Sequence, residues 1–328
     1  MKQYSPVELH KAVENKLQKE LKELAHTYPE RLYVPVKYAI DIGGKRIRPI
    51  LLLLAYNLFK ENIEYGMDLS MSVEMFHNFT LLHDDIMDDA EIRRNSPTVF
   101  KKFDTNTAIL SGDAMSILAY KYLIEVRCNN LDAIIRTFTK TALEVCEGQQ
   151  LDMDFETRRD VKKREYLKMI ELKTAVLLGC SLKIGALLAE TDEESAQLLY
   201  DLGIHLGLAF QLQDDYLDSF GNVTDFGKKI GGDISCNKKT ILYIEAMANA
   251  DEAQKAEMLE WYSTTEISQK KLDKILGLYK ATGADQIVLE HIDSHFTKVD
   301  ELLRALKIKD HRKTLLAEFI DSLLKRNK

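Results

Sequence analysis

The distribution of proline most restricts the fold of this chain of 328 residues. All five prolines lie at or before Pro97, so that residues 98–328 contain none. Proline breaks the interior of a helix, and the proline-free part is rich in Leu, Ala, Glu and Lys, which favour helices. Asn-Gly and Asp-Gly turns, which often connect antiparallel strands, are absent from the sequence. The sequence therefore predicts an all-α protein.

Amphipathic segments predict a succession of helices. They cover residues 6–28, 68–89, 105–127, 131–152, 162–190 and 192–219, with four or five shorter helices between about 238 and 326. Gly43 and Gly44 interrupt the chain ahead of Pro49, which suits the first turn of another helix. A glycine-rich loop that carries lysines spans 221–233. No long polar linker separates these segments, so we expect a single domain over residues 1–328.

Charge and cysteine content argue against several classes of protein. The formal net charge of -7 does not suit a general nucleic-acid-binding protein. The four cysteines form no CxxC pair and have no histidine partners at zinc spacing, which predicts buried thiols in a reducing compartment. The first residues lack the apolar core of a signal peptide, and no uncharged apolar segment is long enough for a transmembrane helix. We expect a soluble cytoplasmic protein.

Two acidic segments repeat one pattern. LLHDDIMDD contains Asp84, Asp85 and Asp88, and FQLQDDYLD contains Asp214, Asp215 and Asp218. On a helix, the first and last aspartates of each set are four residues apart and share a face. One such cluster alone is typical of a solvated helix face. Both follow apolar residues, however, and partly buried carboxylates need a counter-charge. Oxygen ligands without Cys or His favour magnesium that also contacts substrate phosphates.

Cationic residues that could bind phosphate accompany these clusters. Lys173 lies in the apolar segment ELKTAVL, where an unpaired ammonium would be costly. The other candidates are Lys45, Arg46 and Arg48 in GGKRIRP, Arg93 and Arg94 after the first cluster, and Lys228, Lys229, Lys238 and Lys239 in or after the glycine-rich loop. A single lysine is most often a surface residue that aids solubility, so the setting of Lys173 distinguishes it.

Taken together and in this order, the motifs resemble the trans-prenyltransferases (polyprenyl synthetases), which include farnesyl and geranylgeranyl diphosphate synthases. The resemblance covers about residues 38–245, in the segments GGKRIRP, VEMFHNFTLLHDDIMDD, RRNSPT, SGDA, EGQQLD, LKT, FQLQDDYLD and GKKIGGD. It implies an all-α bundle around a central cavity of the isoprenoid synthase type, with one aspartate cluster on each side of its mouth, in a homodimer. It also implies that isopentenyl diphosphate is joined head to tail to dimethylallyl, geranyl or farnesyl diphosphate.

The resemblance assigns roles residue by residue. The metal ligands would be Asp84, Asp85, Asp88, Asp214, Asp215 and Asp218, holding three magnesium ions. The allylic diphosphate would be bound by Arg93, Lys173, Lys228 and Lys238, and isopentenyl diphosphate by Lys45, Arg48, His77 and Arg94. Thr174 and Gln211 would border the developing allylic cation. His77 would otherwise be interpreted as a core histidine, and Lys238 begins KKTIL where the family often has KPTLP.

Phe79 and Thr80 are the candidate determinants of product length. Phe79 precedes Asp84 by five residues, or about 7–8 Å along a helix. An aromatic residue at this position goes with short products in the family, so the resemblance predicts a C15–C20 product. Phe79 could equally be an ordinary core residue.

Three other functions compete with a prenyl-diphosphate synthase. A class I terpene cyclase usually has an Asn/Ser/Glu-type second motif and lacks GGKRIRP. A non-catalytic subunit of a heteromeric synthase tends to lose one aspartate cluster, whereas this chain has both. A helical metal-buffering or scaffold protein would leave Lys173 unexplained. The sequence therefore favours the prenyl-diphosphate synthase.

Overall fold

The computed structural model describes residues 2–158, 160–221, 231–264 and 268–324. Within these ranges the helices are α1 (Pro6–Leu24), α2 (Glu30–Asp41), α3 (Ile47–Asn57), α4 (Met67–Met87), α5 (Val99–Lys102), α6 (Thr105–Glu125), α7 (Leu131–Thr157), α8 (Lys163–Ile170), α9 (Val176–Leu188), α10 (Glu193–Phe220), α11 (Gly232–Ser235), α12 (Ile241–Asn249), α13 (Glu252–Ser263), α14 (Gln269–Ala281), α15 (Ala284–Ala305) and α16 (Asp310–Leu324). A 3₁₀ turn covers Ile63–Gly66, and a π-helical turn covers Glu171–Ala175. The all-α prediction is confirmed.

The residue contacts group the described chain into two compact units. Unit 1 comprises 1–138, 180–199 and 307–317, and unit 2 comprises 139–179, 200–306 and 318–328. The single domain over 1–328 stays a prediction.

Unit 1 forms from helices whose apolar spacing is regular. A capping box of Ser5 and Glu8 starts α1, which buries Leu9, Val13 and Leu17 at four-residue spacing. Helix α3 is buried from Pro49 onwards, and α4 packs along α6. Helices α3 and α4 also pack against each other within unit 1.

A short hairpin follows α4 and presents two arginines. Strands β1 (Ile92–Arg93) and β2 (Ser96–Pro97) pair antiparallel, and Arg94 and Asn95 between them both have positive φ. This is the backbone of a two-residue turn whose twist matches paired strands. The hairpin places Arg93 back over the carboxylates at the end of α4.

Unit 2 has its own apolar core. Phe155, Tyr166 and Met169 lie in it together with residues of α12, α14 and α15. The predicted helix 162–190 is wrong in detail, because the structure divides it into α8, the π-helical turn and α9. The π-helical turn includes Lys173 and Thr174, and such turns often occur at functional sites.

The cysteines only partly match the expectation of buried thiols. Cys180 is buried and Cys128 is half-buried, whereas Cys146 and Cys236 are exposed. All four are free thiols.

Candidate active site

The first aspartate cluster lies where α4 ends. Asp84 and Asp85 belong to the last turn, and Asp88 is the C-cap residue. From the hairpin, Arg93 donates through Nε to Asp85 Oδ1 at 2.7 Å, and its Nη2 lies 3.5 Å from Asp84 Oδ2. Burial raises the pKa of Asp85, and the charge of Arg93 opposes that shift. One guanidinium thus holds two neighbouring carboxylates of the cluster.

Arg48 and His77 form a second group in unit 1. Arg48 Nη1 donates to His77 Nε2 over 3.1 Å, so this nitrogen of His77 is the acceptor, because guanidinium only donates. Burial lowers the pKa of Arg48 to about 10, and burial together with Arg48 and Arg94 holds the pKa of His77 well below its usual range. Arg48 Nε is buried without a hydrogen-bond partner among the residues that the structure describes. The group is electropositive and suited to an anion.

Arg46, two residues from Arg48, has a different environment. It is only 3% exposed and pairs with Glu14 at 2.6 Å and Glu74 at 2.7 Å. Gly44 leaves room there, since a Cβ on it would meet the guanidinium groups of Arg46 and Arg94. Arg46 therefore stabilises unit 1 rather than binding phosphate, while Lys45 next to it is exposed.

The second cluster lies in the last two turns of α10. Asp215 is buried, and its Oδ2 accepts a hydrogen bond from Tyr166 while its Oδ1 accepts one from Gln211 Nε2 at 3.1 Å. Burial, with the charge of Asp233 nearby, raises the pKa of Asp215 to about 7. Asp218 Oδ2 accepts the backbone N–H of Asp233 at 2.9 Å. Asp214 and Asp218 are both half-buried.

Lys173 and Thr174 are adjacent residues of the π-helical turn with different partners. Lys173 Nζ donates to Asp152 Oδ2 at 2.7 Å, and Lys238 Nζ lies 3.6 Å from the same oxygen. Although burial acts to raise the pKa of Asp152, Lys238 and Lys173 hold it below its usual value. Thr174 Oγ1 donates to Gln211 Oε1 at 3.2 Å. The π-helical turn thus contacts Asp152 through Lys173 and Gln211 through Thr174. Lys238 shares the carboxylate of Asp152 with Lys173.

The candidates for product length lie on α4. The ring centroid of Phe79 is 5.4 Å from that of Phe76 and 4.8 Å from that of His83. Thr80 Oγ1 donates to the carbonyl of His77 at 2.8 Å, within the same helix. Phe79 therefore belongs to a row of aromatic rings below the first cluster.

The structure brings most of the predicted residues together within each unit. Arg93 meets Asp84 and Asp85, Arg48 meets His77, and Thr174 meets Gln211. Lys228 lies outside the described residues. Sequence reasoning assigned no role to Asp152, Tyr166 or Asp233. Asp152 and Asp233 are the last residues of the motifs EGQQLD and GKKIGGD, so the sequence could have identified them as site residues. Tyr166 lies in none of the quoted motifs.

The carboxylates suit magnesium that is shared with phosphate. Among the described residues, no three His, Cys, Asp or Glu side chains are arranged to hold a metal ion by themselves. Asp84 and Asp88, and likewise Asp214 and Asp218, are four residues apart and offer only oxygen donors. Magnesium commonly takes one or two carboxylates and completes its shell with water and phosphate oxygens. The donors fit this arrangement and do not fit a metal held by the protein alone.

Of the helices in the described ranges, none combines the length and apolarity that a membrane span requires.

Comparison with known proteins identifies the family of this chain. The polyprenyl synthetase family model matches residues 29–279. A geranylgeranyl diphosphate synthase of Methanosarcina mazei is 36% identical over 302 residues, covering 92% of this chain and 91% of that protein. A short chain isoprenyl diphosphate synthase of Methanocaldococcus jannaschii is 37% identical over 271 residues, or 82% of each. The crystal structure of a geranylgeranyl pyrophosphate synthase matches with a TM-score of 0.90 at 43% identity, covering 97% of this chain and 99% of that one. This chain therefore belongs to the polyprenyl synthetase family and is a trans-prenyltransferase.

Proposed function

We propose that this enzyme condenses isopentenyl diphosphate head to tail with an allylic diphosphate and releases a trans-prenyl diphosphate of C15–C20. The allylic substrate is dimethylallyl, geranyl or farnesyl diphosphate. The family assignment supports the reaction class, and the family resemblance of the motifs implies these substrates.

The observation that carries the proposal is the cationic group beside the first aspartate cluster. Beyond the effect of burial, the charges of Arg48, Arg94 and Arg93 lower the pKa of His77, and the charge of Arg94 acts to lower that of Arg48. Neighbouring arginines of like charge repel one another, and Arg48 and Arg93 are partly buried, so an anion with several oxygens stabilises them. A diphosphate supplies such oxygens. In this proposal Lys45, Arg48, His77 and Arg94 bind isopentenyl diphosphate.

Magnesium is the proposed cofactor. The proposed ligands are Asp84 and Asp85 on α4, Asp88 at the C-cap of α4, and Asp214 and Asp218 on α10. Three ions per site is the number that the family resemblance implies. When bound, magnesium would neutralise charge on the leaving diphosphate as a Lewis acid.

The residues of this chain would act mainly through electrostatics. Arg93, Lys173, Lys228 and Lys238 bind the allylic diphosphate and stabilise the charge that it gains as the allylic C–O bond breaks. Thr174 and Gln211 border the allylic cation, and apolar helix faces exclude water from it. The double bond of isopentenyl diphosphate attacks the cation and forms the new C–C bond. The released diphosphate accepts the proton that leaves, which completes the step.

Phe79 limits the product in this proposal. Its ring packs against Phe76 and His83 about one and a half turns below Asp84. A chain that grows along α4 meets this ring, which supports a C15–C20 product.

A homodimer is the proposed assembly, and the outer face of α6 supports it. Leu110, Ile117 and Ile124 recur every seven residues on this helix and are 59%, 69% and 59% exposed. A row of large exposed apolar side chains on one face of a helix favours burial against a second copy. Light scattering of Ile117→Lys tests this, because the variant should be monomeric where the wild-type enzyme is dimeric. The cytoplasmic location stays a prediction.

Product analysis tests the proposed function. Purified enzyme is incubated with magnesium, labelled isopentenyl diphosphate and each allylic diphosphate in turn, and chain lengths are read after dephosphorylation. Incorporation that ends at C15 or C20 supports the proposal. Asp84→Ala and Asp214→Ala should each lose at least about 100-fold in kcat with the fold intact, since several kcal/mol of charge stabilisation disappear. A folded enzyme that incorporates no label with any of the three primers would contradict the proposal.

A further inference from the structure

Both carboxylate oxygens of Asp215 accept hydrogen bonds from side chains of this chain. Tyr166 Oη, on α8, donates to Oδ2, and Gln211 Nε2, one turn earlier on α10, donates to Oδ1 at 3.1 Å. Tyr166 is 2% exposed and Asp215 is 5% exposed. The bond from Tyr166 is buried, so water does not replace it, and the geometry of Asp215 depends on Tyr166.

The orientation of the Gln211 amide follows from this arrangement. Asp215 Oδ1 accepts the hydrogen bond from Gln211 Nε2, so the NH₂ group of Gln211 faces Asp215. The amide oxygen then points the other way, where it accepts from Thr174 Oγ1 at 3.2 Å. If Asp215 shifted, the amide could rotate by half a turn and present its NH₂ group towards Thr174. An NH₂ group carries positive partial charge, which would oppose a cation rather than stabilise it.

We propose that Tyr166 is a positioning residue that acts through Asp215 to fix the Gln211 amide with its oxygen towards Thr174. This inference rests on the proposed function, in which Thr174 and Gln211 border the allylic cation. Asp215 then serves the reaction by orienting an amide, whereas Asp214 and Asp218 are the members of this cluster left to bind metal. The chain of bonds runs Tyr166 to Asp215, Gln211 to Asp215 and Thr174 to Gln211, and links α8, α10 and the π-helical turn.

The test is a double-mutant cycle of Tyr166→Phe and Gln211→Leu. Tyr166→Phe removes one hydroxyl and keeps the ring in the core, so kcat should fall about 10-fold while KM for isopentenyl diphosphate stays the same. In the Gln211→Leu background, Tyr166→Phe should have no further effect, because the amide that it orients is gone. Asp215→Asn should resemble Tyr166→Phe, since an amide at this position no longer dictates which end of Gln211 faces it.

Tyr122→Phe is the matched control. Tyr122 is a buried tyrosine of α6 whose hydroxyl also donates to a carboxylate, that of Glu20 at 3.3 Å. This variant should keep the wild-type kcat. Losses in kcat that multiply in the double variant, or an unchanged kcat in Tyr166→Phe, would overturn the inference.

The hydrogen-bond chain can be tested separately from the proposed function. If the wild-type enzyme forms no prenyl product, the proposed function is wrong and the hydrogen-bond chain is tested by thermal unfolding. Losses in Tm that do not add between Tyr166→Phe and Gln211→Leu would still support the chain, and additive losses would overturn it.

Discussion

Lys173 donates from Nζ to Asp152 Oδ2 at 2.7 Å, and this pair joins the π-helical turn to α7. Lys238 lies 3.6 Å from the same carboxylate oxygen, so one acid holds two lysines. Each lysine is a proposed ligand of the allylic diphosphate, and Asp152 keeps both in place before the substrate binds.

Asp152→Asn should lower kcat/KM for the allylic diphosphate by about 10- to 100-fold. A hydrogen bond between charged groups contributes about 1.5–3 kcal/mol, and the neutral amide no longer draws Lys173 and Lys238 together. Steady-state kinetics with each substrate varied separately measures this. KM for isopentenyl diphosphate should stay unchanged. If KM rose equally for both substrates, Asp152 would not act on the allylic diphosphate alone.

Gly148→Ala should damage activity more than stability. A Cβ at Gly148 would overlap the backbone nitrogen of Lys173, so the π-helical turn would have to move. A displacement near 1 Å can cost on the order of 100-fold in rate. Gly277→Ala is the control, because a Cβ there meets nothing within 4 Å on an exposed face of α14. That variant should keep its kcat and gain about 0.5–1 kcal/mol of stability. A Gly148→Ala variant with the wild-type kcat would show that the close approach of Gly148 to Lys173 does not affect activity.

Substitution of Arg46 should lower stability, whereas substitution of Arg48 should weaken substrate binding. Arg46→Met breaks a buried ion pair with Glu74 and should lower the free energy of unfolding by about 3–5 kcal/mol. Arg48→Met should leave stability nearly intact and raise KM for isopentenyl diphosphate about 10- to 100-fold, because Arg48 is proposed to bind its diphosphate. Urea unfolding and kinetics are measured on both variants. A large stability loss in Arg48→Met, with KM unchanged, would make Arg48 a structural residue.

Phe79→Ala should lengthen the product by one or more isoprene units. The substitution removes the ring that packs against Phe76 and His83, and opens space along α4 below Asp84. Chromatography of the dephosphorylated products measures the chain length. Phe79→Leu, which keeps much of the volume, should give an intermediate distribution. The same product distribution in all three enzymes would exclude Phe79 as the limiting residue.

The pair of His205 and His295 should make the enzyme less stable in acid. Their Nδ1 atoms are 2.9 Å apart, and burial, with His205 and His291 nearby, lowers the pKa of His295 to about 4. Burial and the charge of Lys298 also lower the pKa of His205, while Asp201 and Glu171 oppose that shift. In the unfolded chain a histidine has a pKa of about 6.5, so between about pH 4 and 6.5 the unfolded state binds more protons. Stability is therefore full above about pH 6.5 and is lost as the pH falls towards 4.

Thermal unfolding across this pH range measures the effect. His295→Gln should reduce the loss of Tm between pH 7.5 and 5, because a group that the folded state keeps neutral has been removed. His26→Gln, at an exposed position, is the control and should follow the wild-type curve. Identical curves for wild type and His295→Gln would contradict the assignment.

Much of the fold could be predicted because helices arise from local patterns. The segments around α4, α6 and α10 were predicted to within about two residues at each end, as their apolar spacing and the absence of proline indicate. Helix α2 had no predicted counterpart, and it contains Pro35 in its interior. The break at Lys173 was also not predicted, since a π-helical turn depends on the contacts of the whole segment.

The sequence by itself determined the all-α class, the two aspartate clusters and the family. These depend on spacings of a few residues, which a helix converts directly into a shared face. Only the tertiary structure decided which charged residues are paired with other side chains of the protein. Arg46 and Arg48 stand two residues apart, yet Glu14 and Glu74 neutralise the first and leave the second beside His77. Asp152 reaches Lys173 across 21 residues and Tyr166 reaches Asp215 across 49. Burial and the loss of hydration set the strength of such pairs, and both depend on how distant segments pack.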